Sequence, residues 1–196
     1  MESKHQNTAT LVQTSLSMPT DEQILALMRA SGGMERGLQM LMSKYQAPLY
    51  RQLMRMTGNH DDTADLLQNC FIKAYRHIGQ FEGKSKLSSW LYRIAANEAI
   101  TFLTNTKRRA TDSMQAHEHL NASLQADAPI DGEAIQERLR LAINTLPEKQ
   151  KLVFSLRYYE EMPYEEMSKT LGTSVGALKA SYHHAVKKVE DFFHEK

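Results

Sequence analysis

The segment from Tyr164 to His183 carries turn residues and side chains that suit contact with DNA. Gly172 permits the left-handed backbone that ends a helix, and Ser174 is a favourable N-cap for the next one. The outer face of this second helix is small enough to enter a major groove and carries cations for phosphates. The residues assigned to this DNA contact are Ser174, Gly176, Ala177, Lys179, Ala180, His183 and Lys187. The spacing predicts a helix-turn-helix.

An ordinary helical hairpin packed in a bundle is the alternative for the same segment. Met167, Leu171 and Leu178 would be core residues in either case, so the turn chemistry and the small outer face favour DNA. The outer face of the second helix has no arginine, and arginine makes the commonest specific base contact. We therefore expect shape and phosphate contacts to dominate over direct base readout.

The eight histidines and the single cysteine invite a metal hypothesis. Successive side chains on a helix point about 100° apart, so His183 and His184 cannot readily share one ion. The pair His117 and His119 stands without an HExxH motif or a cysteine cluster. Cys70 falls on an apolar helical stripe and is expected to be a small core residue. With no glycine-rich phosphate loop and no nucleophile–base motif, the sequence predicts no metal, no cofactor and no enzymatic site.

Charge is unevenly distributed along the 196 residues, although the net charge is only +1. Residues 1–109 carry 14 Lys/Arg against 9 Asp/Glu, whereas residues 110–134 carry five acids and no cation. The remainder is nearly balanced, with 10 against 9. No apolar run reaches the roughly 20 residues that would cross a bilayer, and residues 1–20 have no apolar signal core. These features predict a cytoplasmic protein without membrane insertion.

The elements that must position these residues are helical, because strand patterns are nearly absent and helical periodicity recurs. Asp21 is the expected N-cap of the first helix, and Asp61 or Asp62 is expected to open the third. The apolar stripe of the third helix is Leu66, Leu67, Cys70, Phe71, Ala74, Tyr75 and Ile78. The third helix is predicted from 61 or 62 to 78, and the other helices after the first are predicted at 35–56, 87–102, 133–146, 148–159, 164–171 and 175–193. Between 104 and 132 the polar composition predicts a flexible or extended linker, with a short helix around residues 117–124 as the alternative. The expected fold is therefore all-α, with two small helical domains.

Two long segments resemble the extracytoplasmic-function sigma factors of bacterial RNA polymerase. The runs ADLLQNCFIKAYRHI (64–78) and QFEGKSKLSSWLYRIAANEAI (80–100) resemble conserved region two of this family. The run LPEKQKLVFSLRYYEEMPYEEMSKTLGTSVGALK (146–179) resembles region four. The resemblance implies an N-terminal tail (1–20), a region two domain (21–106), an acidic linker (107–132) and a region four domain (133–196).

The resemblance implies that the helix around residues 65–78 grips the clamp coiled coil of core RNA polymerase. The residues assigned to this contact are Asp65, Gln68, Asn69, Ile72 and Arg76, which lie off the main apolar stripe. Ile72 is a hydrophobic residue left on a polar face, as suits a partner surface. A solvated helix back is the alternative. Family members usually carry an acid where Asn69 stands.

The following loop and helix correspond to the part of the family that melts and reads the minus-ten promoter element. This task requires a pocket for a base that leaves the stack and aromatic and cationic groups along the single strand. The residues assigned to it are Phe81, Lys84, Ser85, Lys86, Tyr92, Arg93, Asn97, Lys107, Arg108 and Arg109. Trp90 is expected to pack in the core. For Arg93 and the basic run 107–109, a merely solvated surface is the alternative.

Further implications concern the linker, the promoter and a regulator. By resemblance, the acidic linker threads the polymerase cleft, with a plain tether as the alternative, and the helix-turn-helix reads the minus-thirty-five element. Thr101, Thr104 and Ser181 differ from common family choices, which points to atypical promoter contacts. Free members of the family are commonly held by an anti-sigma factor, so such a partner is expected.

Two other classes of protein would fit parts of this pattern. A stand-alone repressor or response regulator would bind its operator tightly as a dimer without polymerase, but nothing in residues 1–109 resembles a receiver or ligand domain. A metal-dependent enzyme would carry stoichiometric metal. A promoter-specificity factor would depend on core polymerase and bind DNA weakly when free.

Overall fold

The computed structural model describes residues 18–112 and 132–194. Across these two ranges the secondary structure is entirely helical, as the periodicity predicts. The α-helices are α1 (Asp21–Arg29), α2 (Met34–Thr57), α3 (His60–His77), α4 (Leu87–Asp112), α5 (Gly132–Asn144), α6 (Glu148–Tyr158), α7 (Tyr164–Leu171) and α8 (Val175–His194), with a 3-10 turn at Ile78–Gln80. The all-α fold class is confirmed. Most of the predicted linker and of the predicted N-terminal tail lies outside the described residues.

The packing divides the chain into two units, one ending at Gln46 and the other beginning at Ala47. In the first unit, α1 begins with a reciprocal cap, because the Gln23 N–H donates to Thr20 Oγ1 (3.2 Å) and the Thr20 N–H donates to Gln23 Oε1 (2.9 Å). The prediction of Asp21 as the N-cap was wrong. The Asp21 carboxylate instead accepts hydrogen bonds from Lys44 Nζ (2.6 Å) and the Tyr45 hydroxyl (2.7 Å).

Gly37 sets how closely α1 and the first part of α2 approach each other. A Cβ placed at Gly37 would lie 2.3 Å from Met28 Cγ and 3.0 Å from the Met28 backbone nitrogen. Met28 is itself buried, so its side chain has little room to move away. The helix pair therefore depends on a residue without a side chain at this position.

In the second unit, α3 packs along α4. The Asn59 side chain, and neither Asp61 nor Asp62, caps α3 by accepting the Asp62 N–H at 3.0 Å. Three candidate caps within four residues could not be ranked from their residue types, since asparagine and aspartate cap helices about equally well. The apolar stripe of α3 is buried as predicted except for Tyr75, which is 47% exposed. Tyr75 therefore belongs to the surface.

Helix α4 continues ten residues beyond Phe102, the predicted end, to Asp112. The polar composition of residues 104–112 suggested a linker, but threonine and basic residues are compatible with an exposed helix. Thr104 shows how, because its hydroxyl donates to the Ile100 carbonyl at 2.8 Å within the helix. The basic residues 107–109 are consequently carried on a helix, where their spacing is fixed.

The C-terminal helices share a core in which α5 and α6 pack on α8. Ala142, Ile143, Phe154, Ala185 and Val189 are its buried members, together with Leu146. Helix α7 ends at Gly172, whose φ of +65° is left-handed, and the Ala177 N–H donates to Ser174 Oγ at 3.3 Å to cap α8. Both predictions for this turn are confirmed. Tyr159, the predicted last residue of α6, instead follows the last helical residue and is 36% exposed.

No helix within residues 18–112 and 132–194 combines the length and apolar character that crossing a membrane requires.

Gln52 is a buried polar residue of α2 whose side-chain amide is unpaired. It is 1% exposed, and neither its Nε2 nor its Oε1 has a hydrogen-bond partner among the described residues. An unsatisfied buried polar group costs about 1–3 kcal/mol. We expect Gln52→Leu, which keeps a similar shape, to raise the free energy of unfolding by about that amount, measured by urea denaturation. The exposed Gln39→Leu on the same helix is the control, and a fall in stability for Gln52→Leu would contradict the prediction.

Candidate nucleic-acid interface

The outer face of α8 presents the residues predicted for the helix-turn-helix. All seven, from Ser174 to Lys187, are exposed. Lys179 Nζ lies 5.8 Å from the centre of the Tyr164 ring, and the Arg157 guanidinium lies 5.0 Å from the same ring. Tyr164 thus holds two cations near the start of α7, within the range of cation–π attraction. Sequence reasoning missed Arg157 and Tyr164, because their contribution depends on the packing of α6 and α7 against α8.

One face of α3 is exposed and mixed in character, and we call Asp65, Gln68, Asn69, Ile72 and Arg76 the α3 face. Their spacings of three and four residues place them on one side of the helix, and the structure leaves all five exposed. Ile72 is 40% exposed, and Tyr75 lies beside this set in the sequence. Two large apolar side chains, Ile72 within the polar face and Tyr75 next to the set in the sequence, are therefore exposed to solvent, as is common at partner surfaces.

A cavity of about 300 Å³ opens between α3, the 3-10 turn and α4, and we call it the α3–α4 cavity. Its lining residues are Lys73, His77, Gln80, Trp90, Arg93, Ile94, Asn97 and Glu98. Arg93 and Asn97, both predicted from the sequence, face one space with side chains that can donate hydrogen bonds. The Lys73 ammonium is paired with the Glu98 carboxylate across the same cavity. The cavity combines donors, an acceptor and an indole ring.

The two aromatic residues predicted to handle a base are not in this cavity. Phe81 is 6% exposed and packs against Trp90, with the ring centres 5.4 Å apart. Trp90, expected in the core, is half-buried and lines the cavity with Phe81 beside it. Phe81 thus supports the ring that meets the cavity.

Tyr92 is the second of these aromatic residues, and it is 8% exposed. Its hydroxyl donates to Glu160 Oε2 at 2.5 Å. Burial, together with the hydrogen bond to Glu160, raises the pKa of Tyr92 above its ordinary value. The phenol is therefore a neutral donor held by a carboxylate from the loop after α6.

The predicted phosphate-binding cations are exposed, and three of them meet carboxylates. Lys84 pairs with Glu82 close by in the sequence. Lys86 Nζ lies 3.0 Å from Glu166 Oε2, and Lys107 pairs with Glu148. Arg108 and Arg109 are also exposed, and Ser85 is half-buried. These acids were not predicted as partners, since Glu166 lies 80 residues from Lys86 and no local pattern links them.

Cys70 is 1% exposed on the buried side of α3, which confirms its prediction as a core residue. Burial, with a smaller contribution from the Glu98 charge, raises the pKa of the thiol to about 12. Within the described part of the chain, no three His, Cys, Asp or Glu side chains converge as metal ligands would. His117 and His119 lie outside the described residues.

Comparisons with known proteins place these surfaces in a family. The model for Sigma-70 region 2 matches residues 41–109, and the model for Sigma-70, region 4 matches residues 136–189. The chain is 31% identical over 172 residues to the ECF RNA polymerase sigma-E factor of Haemophilus influenzae, covering 83% of this chain and 90% of the relative. It is 28% identical over 184 residues to the RNA polymerase sigma-H factor of Pseudomonas aeruginosa, covering 89% and 94%.

Solved structures share the fold. The sigma factor RpoE of Bartonella quintana, in complex with the anti-sigma factor NepR, is similar with a TM-score of 0.64 at 20% identity, covering 81% of this chain and 97% of that one. CnrH in complex with the cytosolic domain of CnrY is similar with a TM-score of 0.63 at 19% identity, covering 89% and 97%. From the two region models and the sigma-E relative together, the chain belongs to the extracytoplasmic-function sigma factors, a family of bacterial transcription initiation factors.

Proposed function

We propose that this sigma factor binds core RNA polymerase through the α3 face and opens promoter DNA at the α3–α4 cavity. The observation that carries the proposal is the pairing of two exposed features on adjacent helices. One is an apolar residue, Ile72, within a polar face, and the other is a cavity with donor groups. Because the α3 face and the α3–α4 cavity lie on neighbouring helices, the face can bind polymerase while the cavity binds the DNA.

The α3–α4 cavity is proposed to receive a base that leaves the minus-ten duplex. Arg93 and Asn97 supply hydrogen bonds to the edge of the base, and Trp90 supplies an aromatic surface. Phe81 acts through Trp90, since it is buried against that ring. On either side of this base, the DNA strand is proposed to run along the remaining assigned residues, which are Lys84, Ser85, Lys86, Tyr92, Lys107, Arg108 and Arg109.

The helix-turn-helix is proposed to bind the minus-thirty-five element through the exposed outer face of α8. Lys179, His183 and Lys187 supply phosphate or base contacts, and the small residues Gly176, Ala177 and Ala180 allow close approach to a groove. The absence of arginine from this face among the described residues 175–194 favours recognition by shape. The domain boundaries 21–106, 107–132 and 133–196 remain part of this proposal.

The proposal includes the cellular setting of the protein. As a subunit that directs polymerase, the chain is expected to act in the cytoplasm without an enzymatic reaction of its own. An anti-sigma factor is the proposed regulator. Support for it comes from membership of the family and from a sigma factor of the same fold that was solved with the anti-sigma factor NepR.

Run-off transcription with purified core polymerase on a promoter library tests the proposal. We expect transcripts that depend on this chain and share a promoter sequence near minus ten and minus thirty-five. A repressor would instead bind DNA tightly without polymerase and yield no transcript. The absence of any chain-dependent transcript, with a core enzyme that is active with another sigma factor, would contradict the proposal.

A further inference from the structure

Three carboxylates from the C-terminal helices bind side chains of the α4 region. Glu148 at the start of α6 pairs with Lys107. Glu160, just after α6, accepts hydrogen bonds from Tyr92 (2.5 Å) and Arg55 (2.8 Å). The third acid is on α7: Glu166 accepts from Lys86 at 3.0 Å and also from the Ser89 hydroxyl. Helices α6 and α7 both pack on α4 around these contacts.

These acids contact residues that the proposed function assigns to promoter DNA. Lys86, Tyr92 and Lys107 belong to that set, and each meets a carboxylate in this structure. A carboxylate oxygen and a phosphate oxygen are both anionic acceptors, and they bind the same ammonium and hydroxyl donors. A DNA strand that follows α4 would have to compete with these acids, because their negative charge repels phosphates and they already accept hydrogen bonds from the same side chains.

We propose that Glu148, Glu160 and Glu166 act as internal phosphate mimics that hold the free sigma factor in a DNA-excluding state. The inference rests on the proposed function of α4 as a promoter-contacting helix. In this proposal, binding to core polymerase must break these contacts before α4 can bind DNA. Only the small fraction of the free chain in which these contacts are broken can then bind DNA, and this lowers the apparent affinity of the free chain for DNA.

The hydrogen bonds to Glu160 contribute most to the stability of the DNA-excluding state. Lys86 and Lys107 are largely exposed, and ion pairs of exposed lysines contribute little. At Glu160 the donors are a buried phenol and an arginine whose guanidinium also lies 3.8 Å from the Tyr159 ring centre. Glu161, the next residue, has a φ of +49°, which is uncommon for a residue with a side chain. The turn therefore adopts an unfavourable backbone conformation while it presents Glu160 to its donors.

The other two acids, Glu148 and Glu166, keep their negative charge in the DNA-excluding state. The hydrogen bond from Lys107 lowers the pKa of Glu148. Burial alone would raise the pKa of Glu166, but the hydrogen bonds from Ser89 and Lys86 bring it below its ordinary value. Glu148 and Glu166 thus stay anionic around neutral pH.

The double variant Glu160→Gln/Glu166→Gln tests the inference in the full-length chain without polymerase. We expect its affinity for a mixed-sequence single-stranded DNA oligonucleotide, measured by fluorescence anisotropy, to rise about five- to tenfold. The control is Glu161→Gln/Glu165→Gln, which removes the same charge at exposed neighbouring positions. We expect less than a twofold rise for the control. Equal gains for the two variants would mean that net charge alone is responsible and would overturn the inference.

Zero-length carbodiimide coupling supplies a second measurement. In the free unaltered chain we expect mass spectrometry to detect the coupled pairs Lys86–Glu166 and Lys107–Glu148, and excess core polymerase should suppress them. Run-off transcription with core polymerase separates this inference from the proposed function. If the unaltered chain supports transcription but the coupled pairs persist with polymerase bound, the inference fails while the proposed function stands. If no transcription occurs with any form, the proposed function fails.

Discussion

Ile72→Asp is expected to weaken binding to core RNA polymerase by at least about 30-fold, as the loss of a central apolar contact residue does in protein interfaces. Ile72 is 40% exposed in the middle of the α3 face, so the substitution should not disturb the buried side of the helix. A carboxylate there would be desolvated without a partner when the interface closes. Binding is measured by titrating labelled chain with purified core enzyme, and run-off transcription should fall in parallel.

Ile135→Asp is the matched control for this substitution. Ile135 is also an exposed isoleucine on a helix, 47% exposed on α5, and it lies outside the α3 face. We expect its polymerase affinity to stay within about twofold of the unaltered chain, as for residues outside the central contacts. Circular dichroism should be unchanged for both variants. An Ile72→Asp chain that binds core enzyme normally would place the polymerase contact elsewhere.

The double substitution Arg93→Ala/Asn97→Ala is expected to reduce open-complex formation by at least about 30-fold, since each base contact is worth about 1–3 kcal/mol. Both side chains line the α3–α4 cavity and are exposed, so the helix should fold without them. Permanganate reactivity of unpaired thymines on a transcribed promoter measures opening. Affinity for core polymerase should be unaffected, which distinguishes a loss of melting from a loss of docking.

Arg36→Ala/Gln39→Ala serves as the control for melting, because both residues are exposed on α2 outside the cavity. We expect its permanganate pattern to match that of the unaltered chain. If the cavity variant opened promoter DNA at the normal rate, the base would have to be held by other residues. Lys73, His77 and Glu98 line the same cavity and would be the next to examine.

The sequence predicted elements best where residues of unusual conformation mark their ends. The end of α7 at Leu171 was predicted because Gly172, which has a left-handed φ, follows it and terminates the helix. The cap of α3 was assigned to Asp61 or Asp62 instead of Asn59, since three neighbouring polar residues are all good caps. The end of α4 was placed at Phe102, because composition distinguishes exposed helix from linker poorly once apolar periodicity stops.

The candidate sites divide in the same way. Helical spacing alone was enough to predict that the residues of the α3 face share a side, whereas their assignment to a polymerase contact came from the resemblance to the family. The pairs Tyr92–Glu160 and Lys86–Glu166 could not be predicted, because their partners are 68 and 80 residues apart and meet only through tertiary packing. The sequence also did not reveal that Phe81 is buried and that Trp90 lines the cavity, since both are large aromatic residues close to the same loop.

The deep burial of Cys70 makes this protein convenient for site-specific spectroscopy. Thiol reagents react with the thiolate, and a thiol with a pKa of about 12 that is 1% exposed offers almost none near neutral pH. It is also the single cysteine of the sequence. A fluorophore or spin label could therefore be attached at any engineered surface cysteine while the native residue stays in place, and the motion of α7 relative to α4 could be followed during promoter opening.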